Sequence, residues 1–234
     1  FFTSKKCINS INPIDNEFNA MSGGGRMVPF DNNHILFSIG EYLNRYLAQD
    51  INSDNGKIIK VNINNYNHKI ISIGHRNPQG LYFDIENNFI ISTEHGPKGG
   101  DEINLIEVDK ININKILNYG WPISSYGEHY EYDKEIYTKY PLHKSHSDYG
   151  FIEPLIHFTP SIGISEIIKI GKNEYVASSL KYKSLYFFDL SNEKKIINLK
   201  QIEVFERIRD LKFYNDKLYL FMEDTASIGV INLK

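Results

Sequence analysis

Two polar, glycine-containing clusters hold most of the side chains that could do chemistry in this chain. The first, residues 74–80 (GHRNPQG), places a guanidinium, an imidazole and amides side by side. The second, residues 94–102 (EHGPKGGDE), combines acidic and basic side chains with three glycines. Arginine can bind a carboxylate through two parallel hydrogen bonds, and a Gly-Pro turn can present consecutive carbonyls to calcium. The alternative is that the glycines and the proline only form turns.

A predicted hairpin brings the two clusters together. Residues 81–84 and 89–92 have strand composition, and the turn-forming residues 85–88 join them. In an antiparallel pair, the residues before the first strand lie beside those after the second strand. We therefore expect one polar site at one end of a sheet.

The hairpin is one of four similar segments in the chain. Each has the order strand, tight polar turn, strand, and they begin at Arg26, Gly80, Ser165 and Arg209. No segment has a 3.6-residue hydrophobic period over a helical length, which predicts an all-β protein. Repeated sheets at long, uneven intervals favour a β-propeller of about four blades, forming one domain over residues 1–234. The alternative is a β-sandwich with hairpins.

Composition excludes several functional classes. The chain of 234 residues has 26 basic and 29 acidic residues, which gives no electrostatic signature for nucleic acid. No apolar run of about 18 residues exists, so we expect no membrane span. The single cysteine, Cys7, excludes an internal disulfide. A strand is predicted within residues 1–13, no signal peptide is present in the chain, and a start inside a strand-like segment suggests missing upstream residues.

Three motifs together, GHRNPQG, EHGPKGGDEIN and NYGWP, resemble the soluble quinoprotein sugar dehydrogenases of the glucose/sorbosone dehydrogenase family. The segments GGGRMVPFDNNHILFSIGE, ASSLKYKSLYFF and ERIRD extend the resemblance from about Gly23 to the C-terminus. It implies a six-bladed propeller that binds pyrroloquinoline quinone (PQQ) and Ca²⁺, here with its N-terminal part missing. It also implies an aldose sugar as substrate, an external electron acceptor, and a periplasmic or secreted location.

The resemblance assigns cofactor-binding roles to cationic residues of the motifs. PQQ bears three carboxylates, so its site needs fixed cations, which Arg76, Lys181, Arg207 and Arg209 would supply. Arg207 and Arg209 are two apart on a predicted strand and therefore face the same side. Arg76 and Asn77 would lie at the quinone carbonyls, where they stabilise negative charge that develops on reduction.

The same resemblance implies a calcium site. The carbonyls of Gly96 and Pro97 would hold the ion that bridges to PQQ. Asp101 and Glu102 would either join a second ion site or form a salt bridge at the start of a strand.

The expected catalytic base is absent. The family uses a histidine just ahead of its GGR motif, and that position is Ser22 here. Serine does not titrate near neutrality, so it needs help to act as a base. His75 and His95 lie in the site motifs and would either replace the base or be structural histidines.

Two functions follow from these expectations. The first is a PQQ- and calcium-dependent dehydrogenase that oxidises an aldose. The second is a catalytically inactive propeller of the same family that acts as a binding module. A glycosidase has little support, because Asp101-Glu102 is the one acidic pair that stands out.

Overall fold

The computed structural model describes residues 2–4, 21–111, 115–130 and 134–233. Most of the strand predicted within residues 1–13 lies outside these ranges. The strands are β1 (Gly24–Asp31), β2 (His34–Ile39), β3 (Lys57–Asn62), β4 (His68–Ile73), β5 (Pro78–Asp84), β6 (Phe89–Glu94), β7 (Asp101–Glu107), β8 (Leu117–Asn118), β9 (Ile156–Phe158), β10 (Ile164–Lys169), β11 (Glu174–Ser179), β12 (Ser184–Leu190), β13 (Ile196–Glu203), β14 (Ile208–Tyr214), β15 (Lys217–Met222) and β16 (Ser227–Asn232). The helical elements are 3-10 turns at Arg45–Ala48, Val108–Lys110 and Ser147–Tyr149, and helix α1 (Lys134–Lys139).

The described strands form four sheets. Their orders are β1-β2-β3-β4-β8, β5-β6-β7-β9, β10-β11-β12-β13 and β14-β15-β16. Neighbouring strands within each sheet pair antiparallel, except that β8 joins β4 in parallel. The first strands of the sheets pack against one another in chain order, β1 on β5, β5 on β10 and β10 on β14. This is the arrangement of propeller blades around an axis, so the prediction of an all-β, partial β-propeller is confirmed.

Three hydrophobic clusters fill the spaces between adjacent sheets. Strand β6 shows how the sequence builds two of them, because its side chains alternate between the two faces of the sheet. Ile90 packs toward the first sheet, with Leu36, Ile58 and Leu81. Ile91 packs toward the third sheet, with Ile103, Ile164 and Tyr175. The third cluster joins the last two sheets through Val176, Leu185, Ile208, Leu211 and Leu218.

Arg26 ties the first strands of all four sheets together. From β1, its Nε lies 3.3 Å from the Gln79 carbonyl of β5. One terminal nitrogen lies 2.6 Å from the Glu166 carboxylate of β10, and the other lies 3.0 Å from the Asp210 carboxylate of β14. Burial raises the pKa of Glu166 to about 8, against the opposing effect of Arg26. The guanidinium therefore fixes the relative positions of the strands that support the candidate site.

Among the described residues, no helix has the length and apolar character needed to cross a membrane.

Candidate functional site

The predicted hairpin is present and joins the two polar clusters. Strands β5 and β6 pair antiparallel with Pro78 opposite Glu94, and Phe83 opposite Ile90. Beyond the paired ends, the His95 backbone N–H donates to the Asn77 carbonyl at 3.1 Å. The two clusters thus lie side by side at the end of this sheet where β5 begins.

Arg76 is held firmly at the centre of this site. One terminal nitrogen donates to the carbonyls of His95 and Gly96, at 3.1 and 2.9 Å. The guanidinium lies 5.5 Å from the ring centre of Trp121, a cation–π distance. The Arg76 backbone N–H also donates to the Glu94 carboxylate. These contacts orient a fixed cation whose guanidinium has no acidic side-chain partner among the described residues.

Asn77 and Ser22 lie next to Arg76. The Asn77 side-chain oxygen accepts hydrogen bonds from the Gly24 backbone N–H and the Gln79 amide, both at 3.0 Å. Ser22 has a φ of 56°, in the left-handed region that non-glycine residues adopt infrequently. Its carbonyl accepts from the Tyr42 N–H at 3.2 Å. Ser22, the position expected for a histidine base, lines the same cavity as Arg76 and Asn77.

The structure distinguishes the two histidines of the motifs. His75 is fully buried, its Nε2 lies 2.8 Å from the Ser72 hydroxyl, and its Nδ1 lies 2.9 Å from the Glu94 carboxylate. Its ring also stacks on Tyr119, with ring centres 4.9 Å apart. Both nitrogens are engaged, which is the arrangement of a structural histidine.

His95 differs, because it lines the open site. Its Nε2 is sealed from solvent and has no hydrogen-bond partner among the described residues. Burial lowers the pKa of His95, Arg76 lowers it further, and Asp101 acts in the opposite direction. The imidazole is therefore expected to be neutral at neutral pH.

The site opens as a cleft with two lobes. The lysine lobe has a volume of about 580 Å³, and its lining includes Arg76, His95, Gly96, Lys98, Tyr130 and Lys181. The serine lobe has a volume of about 570 Å³, and its lining includes Ser22, Leu43, Arg76, Asn77, His95, His129 and Tyr130. Arg76, His95 and Tyr130 line both lobes, so the two lobes meet at these three residues.

The Gly96–Pro97 turn is tightly enclosed. A Cβ on Gly96 would lie 1.7 Å from the Gly100 carbonyl oxygen, so no other residue fits there. The Gly96 carbonyl accepts from Arg76, and the Pro97 carbonyl accepts from the Ser161 hydroxyl at 3.2 Å. A carbonyl has two lone pairs, so each oxygen retains one for a cation.

The backbone carbonyls of the Gly96–Pro97 turn could bind calcium if an anionic ligand is bound beside them. No group of three or more His, Cys, Asp or Glu side chains suited to a metal occurs within the described ranges. A metal ion would therefore rely on the Gly96 and Pro97 carbonyls, beside the Arg76 guanidinium. Two adjacent cations repel each other, so the donor set fits calcium when an anionic ligand is bound with it.

The two acidic residues of the second cluster have structural partners. Asp101 accepts from the backbone N–H groups of Gly163 and Ile164, at 2.6 and 3.0 Å, and so ties β7 to β10. The buried Glu102 carboxylate lies 3.4 Å from the His146 ring. Burial raises the pKa of Glu102 despite this contact. The structure favours a salt bridge at the start of β7 over a second ion site.

The predicted cations are only partly brought together. Lys181 is exposed and lines the lysine lobe with Arg76. Arg209 lies 3.4 Å from the Gln79 side-chain oxygen and forms a 2.5 Å ion pair with Glu223. Arg207 pairs with the same carboxylate at 3.3 Å, so both arginines do share one side, but neither residue lines either lobe.

A larger cavity of about 710 Å³ lies at the far ends of the first strands. Its ionic groups satisfy one another, because Lys169 contacts Asp84 at 2.9 Å and Glu86 at 2.7 Å. The Tyr175 hydroxyl also donates to Asp84. These contacts connect the second sheet to the third.

Glu153 orders the loop beside the cleft. Its carboxylate accepts from the Ser147 and His146 N–H groups at 2.7 and 2.8 Å, and from the Tyr126 hydroxyl at 2.8 Å. Burial alone would raise the pKa of Glu153, but these hydrogen bonds lower it to about 2.

The Glu153→Gln variant is expected to be less stable than the wild type at pH 7, because an amide cannot replace an ionised acceptor of several hydrogen bonds. A folded-state pKa below the ordinary value of 4.5 stabilises above pH 4.5, and this effect is lost as the pH falls toward 2. Thermal unfolding midpoints of the two proteins should therefore converge over that interval. An equal gap at pH 7 and pH 3 contradicts this role, and Glu203→Gln, on an exposed strand, is the control.

Several cleft residues had no sequence prediction. Trp121 lies in the NYGWP motif, but the sequence alone did not predict its contact with Arg76. Tyr130, His129 and Leu43 fall in segments without a regular pattern, and the abundance of tyrosine after residue 119 was the one available signal.

Comparisons with known proteins identify the family of this chain. A family model described as Glucose / Sorbosone dehydrogenase matches residues 12–231. Aldose sugar dehydrogenase YliI of Escherichia coli K12 is 25% identical over 225 residues, which cover 87% of this chain and 57% of that protein. The chain therefore spans less than two thirds of this relative.

Solved structures show the same similarity. The soluble aldose sugar dehydrogenase of Escherichia coli in its apo-form matches with a TM-score of 0.73 and 26% identity, over 89% of this chain and 64% of that chain. The PQQ-bound aldose sugar dehydrogenase of Streptomyces coelicolor matches with a TM-score of 0.64 and 23% identity, over 85% of this chain and 55% of that chain. At 23% identity, the similarity to the Streptomyces coelicolor protein shows a shared fold.

Proposed function

This chain belongs to the glucose/sorbosone dehydrogenase family, and on that premise we propose that it is a PQQ- and calcium-dependent oxidoreductase acting on an aldose sugar. Electrons would pass to an external acceptor, and the proposed location is the periplasm, as the resemblance implies. Because the chain spans just over half of the relative YliI, the activity of the chain itself is part of the proposal.

The observation that carries the proposal is the lysine lobe. It places the fixed Arg76 guanidinium, the exposed Lys181 and the Gly96 turn around one cavity of about 580 Å³. Cations without an acidic partner favour an anionic ligand, and the carbonyls of Gly96 and Pro97 accept a metal ion only beside such a ligand. PQQ, with three carboxylates, meets both requirements.

The residues have distinct roles in the proposed reaction. When bound, PQQ would supply a quinone that accepts the hydride removed from the anomeric carbon of the aldose. Arg76 and Asn77 would stabilise negative charge that develops during this transfer, as preorganised donors do in other enzymes. Lys181 would hold a carboxylate of PQQ, and Gly96 and Pro97 would hold the calcium ion. Arg207 and Arg209, which pair with Glu223 outside both lobes, are assigned to the cofactor by the resemblance alone. Oxidation also releases the proton of the sugar hydroxyl, and without a histidine at position 22 that proton would pass to water in the open cleft.

Ser22 supports a second candidate function. Ser22 lines the serine lobe at the position where the resemblance implies a histidine, and a serine hydroxyl does not titrate near neutrality. A chain that binds the cofactor without oxidising sugar would be a binding module of the same family.

One titration separates the candidates. The purified chain receives PQQ and CaCl₂, and binding is followed through the quinone absorbance and the fluorescence of Trp121, the single tryptophan, which contacts Arg76. D-Glucose is then added without an electron acceptor. Binding followed by bleaching of the quinone supports the dehydrogenase. Binding without bleaching supports the module, and absence of binding rejects both.

Lys181→Ala is expected to weaken PQQ affinity about 10-fold, because one charge-assisted hydrogen bond to a carboxylate is lost. The effect should shrink at high salt, since the side chain is exposed. Lys183→Ala is the matched control, because Lys183 pairs with Asp224 at 2.7 Å and lies outside both lobes. Equal affinities for the Lys181 and Lys183 variants would remove Lys181 from the site.

A further inference from the structure

The two residues before Tyr130 are held in place by hydrogen bonds, and they position Tyr130 at the cleft. Lys98 and Glu128 exchange two backbone hydrogen bonds of 2.9 and 2.8 Å, which attach this segment to the Gly96 turn. The next residue, His129, is buried, and its Nε2 lies 2.8 Å from the Tyr140 carbonyl. The position of residue 130 thus follows from two anchored neighbours.

The Tyr130 side chain itself is exposed where the two lobes meet. It has 69% of its surface accessible, and it lines both the lysine lobe and the serine lobe. Of the three residues shared by the lobes, Arg76 is held by carbonyls and Trp121, and His95 is largely enclosed. No ring of the described residues stacks on Tyr130. A flat apolar surface with a polar tip therefore stands at the mouth of the cleft.

We propose that Tyr130 is the sugar-contacting specificity residue of this cleft, with its ring packed against the C–H face of an aldopyranose. This inference rests on the proposed function and deepens it. An aldose such as D-glucose has equatorial hydroxyls, so each ring face presents axial C–H groups to an aromatic surface. Asn77, Ser22 and Lys98, in the lobe walls on either side, supply polar groups for the hydroxyls around the ring.

The location favours sugar over cofactor as the partner of this ring. The fixed cation Arg76 lies within the cleft, whereas Tyr130 is at its solvent side. A trianionic ligand is drawn to the cations, and a neutral sugar, which exchanges with solvent at every turnover, needs a contact at the opening. Loss of the Tyr130 ring should then affect the sugar and leave the cofactor in place.

The test compares Tyr130→Ala and Tyr130→Phe with the wild type. For the PQQ- and calcium-loaded proteins, we expect Tyr130→Ala to raise KM for D-glucose about 3- to 10-fold with kcat nearly unchanged, as expected for a stacking contact. Tyr130→Phe keeps the ring and should keep KM within about twofold. Tyr214→Ala, an exposed tyrosine at the far end of β14, is the control.

A second readout does not depend on turnover. Saturation transfer from protein aromatic protons to D-glucose is measured by NMR on the same variants, with and without PQQ. We expect transfer in the wild type and in Tyr130→Phe and its loss in Tyr130→Ala. Equal transfer in wild type and Tyr130→Ala, or a weaker PQQ affinity of Tyr130→Ala with unchanged transfer, overturns the proposal. Failure of the wild type to bind PQQ in the titration rejects the proposed function separately.

Discussion

Replacing Arg26 with methionine is expected to lower the free energy of unfolding by about 1–3 kcal/mol, the usual cost of leaving a buried polar group without its hydrogen-bond partner. The reason is the position of Glu166, which is 4% exposed and lies 2.6 Å from the Arg26 guanidinium. Methionine keeps most of the side-chain volume but leaves the buried carboxyl group and Asp210 without their cation. The first strands of four sheets would also lose their shared contact.

Urea unfolding of purified variants measures this loss. The double variant Arg26→Met, Glu166→Gln should be more stable than Arg26→Met at pH 7, because glutamine, unlike a carboxyl group whose pKa burial raises to about 8, does not have to take up a proton when it is buried. Lys183→Met, which breaks an exposed pair with Asp224, should change stability by about 1 kcal/mol or less. An Arg26→Met protein as stable as Lys183→Met would show that Arg26 does not hold the sheets together.

Arg76→Ala is expected to have the largest effect on the proposed activity, a fall of about 10²- to 10³-fold in kcat, as for loss of a preorganised donor at developing negative charge. The guanidinium is oriented by the Gly96 carbonyl and by Trp121, so it needs no reorganisation during the reaction. Arg76→Lys keeps the charge but not the planar fork, and its activity should lie between those of the wild type and Arg76→Ala.

Controls separate this role from a structural one. Far-UV circular dichroism and the urea midpoint show whether Arg76→Ala still folds, and the KM for sugar should change less than kcat. The variant should bind PQQ more weakly, but saturating cofactor should not restore kcat. If saturating PQQ restores full turnover, Arg76 binds the cofactor without assisting the transfer.

Local sequence patterns were sufficient to predict the repeated hairpins. The four predicted segments that start at Arg26, Gly80, Ser165 and Arg209 coincide with the first two strands of the four sheets. Each hairpin depends on alternating apolar residues and a polar turn between them, which are visible within about 15 residues. The adjacency of the two polar clusters followed from one such hairpin, and the pairing of Pro78 with Glu94 confirms it.

Features that depend on distant parts of the chain were not predictable. Strands β4 and β7 gave no separate prediction, although β7 pairs with the predicted strand β6. The different environments of His75 and His95 depend on Ser72, Glu94 and the packing of Tyr119. Neither motif spacing nor composition distinguishes a satisfied, buried imidazole from one that lines a cleft.

Tyr130 illustrates the same limit for the site. Its place over the cleft is set by backbone hydrogen bonds between Lys98 and Glu128 and by the buried ring of His129. The Lys98–Glu128 hydrogen bonds join segments about 30 residues apart, across an irregular region without periodic pattern. The sequence shows that residue 130 is a tyrosine, but it does not show that this tyrosine lies at the cleft.

A crystal structure of the chain grown with PQQ and CaCl₂ tests the central claim most directly. The account predicts PQQ in the lysine lobe, with its carboxylates or quinone oxygens within hydrogen-bond distance of Arg76 and Lys181, and with Ca²⁺ on the Gly96 and Pro97 carbonyls. PQQ bound elsewhere, or an empty lysine lobe at saturating cofactor, would contradict it.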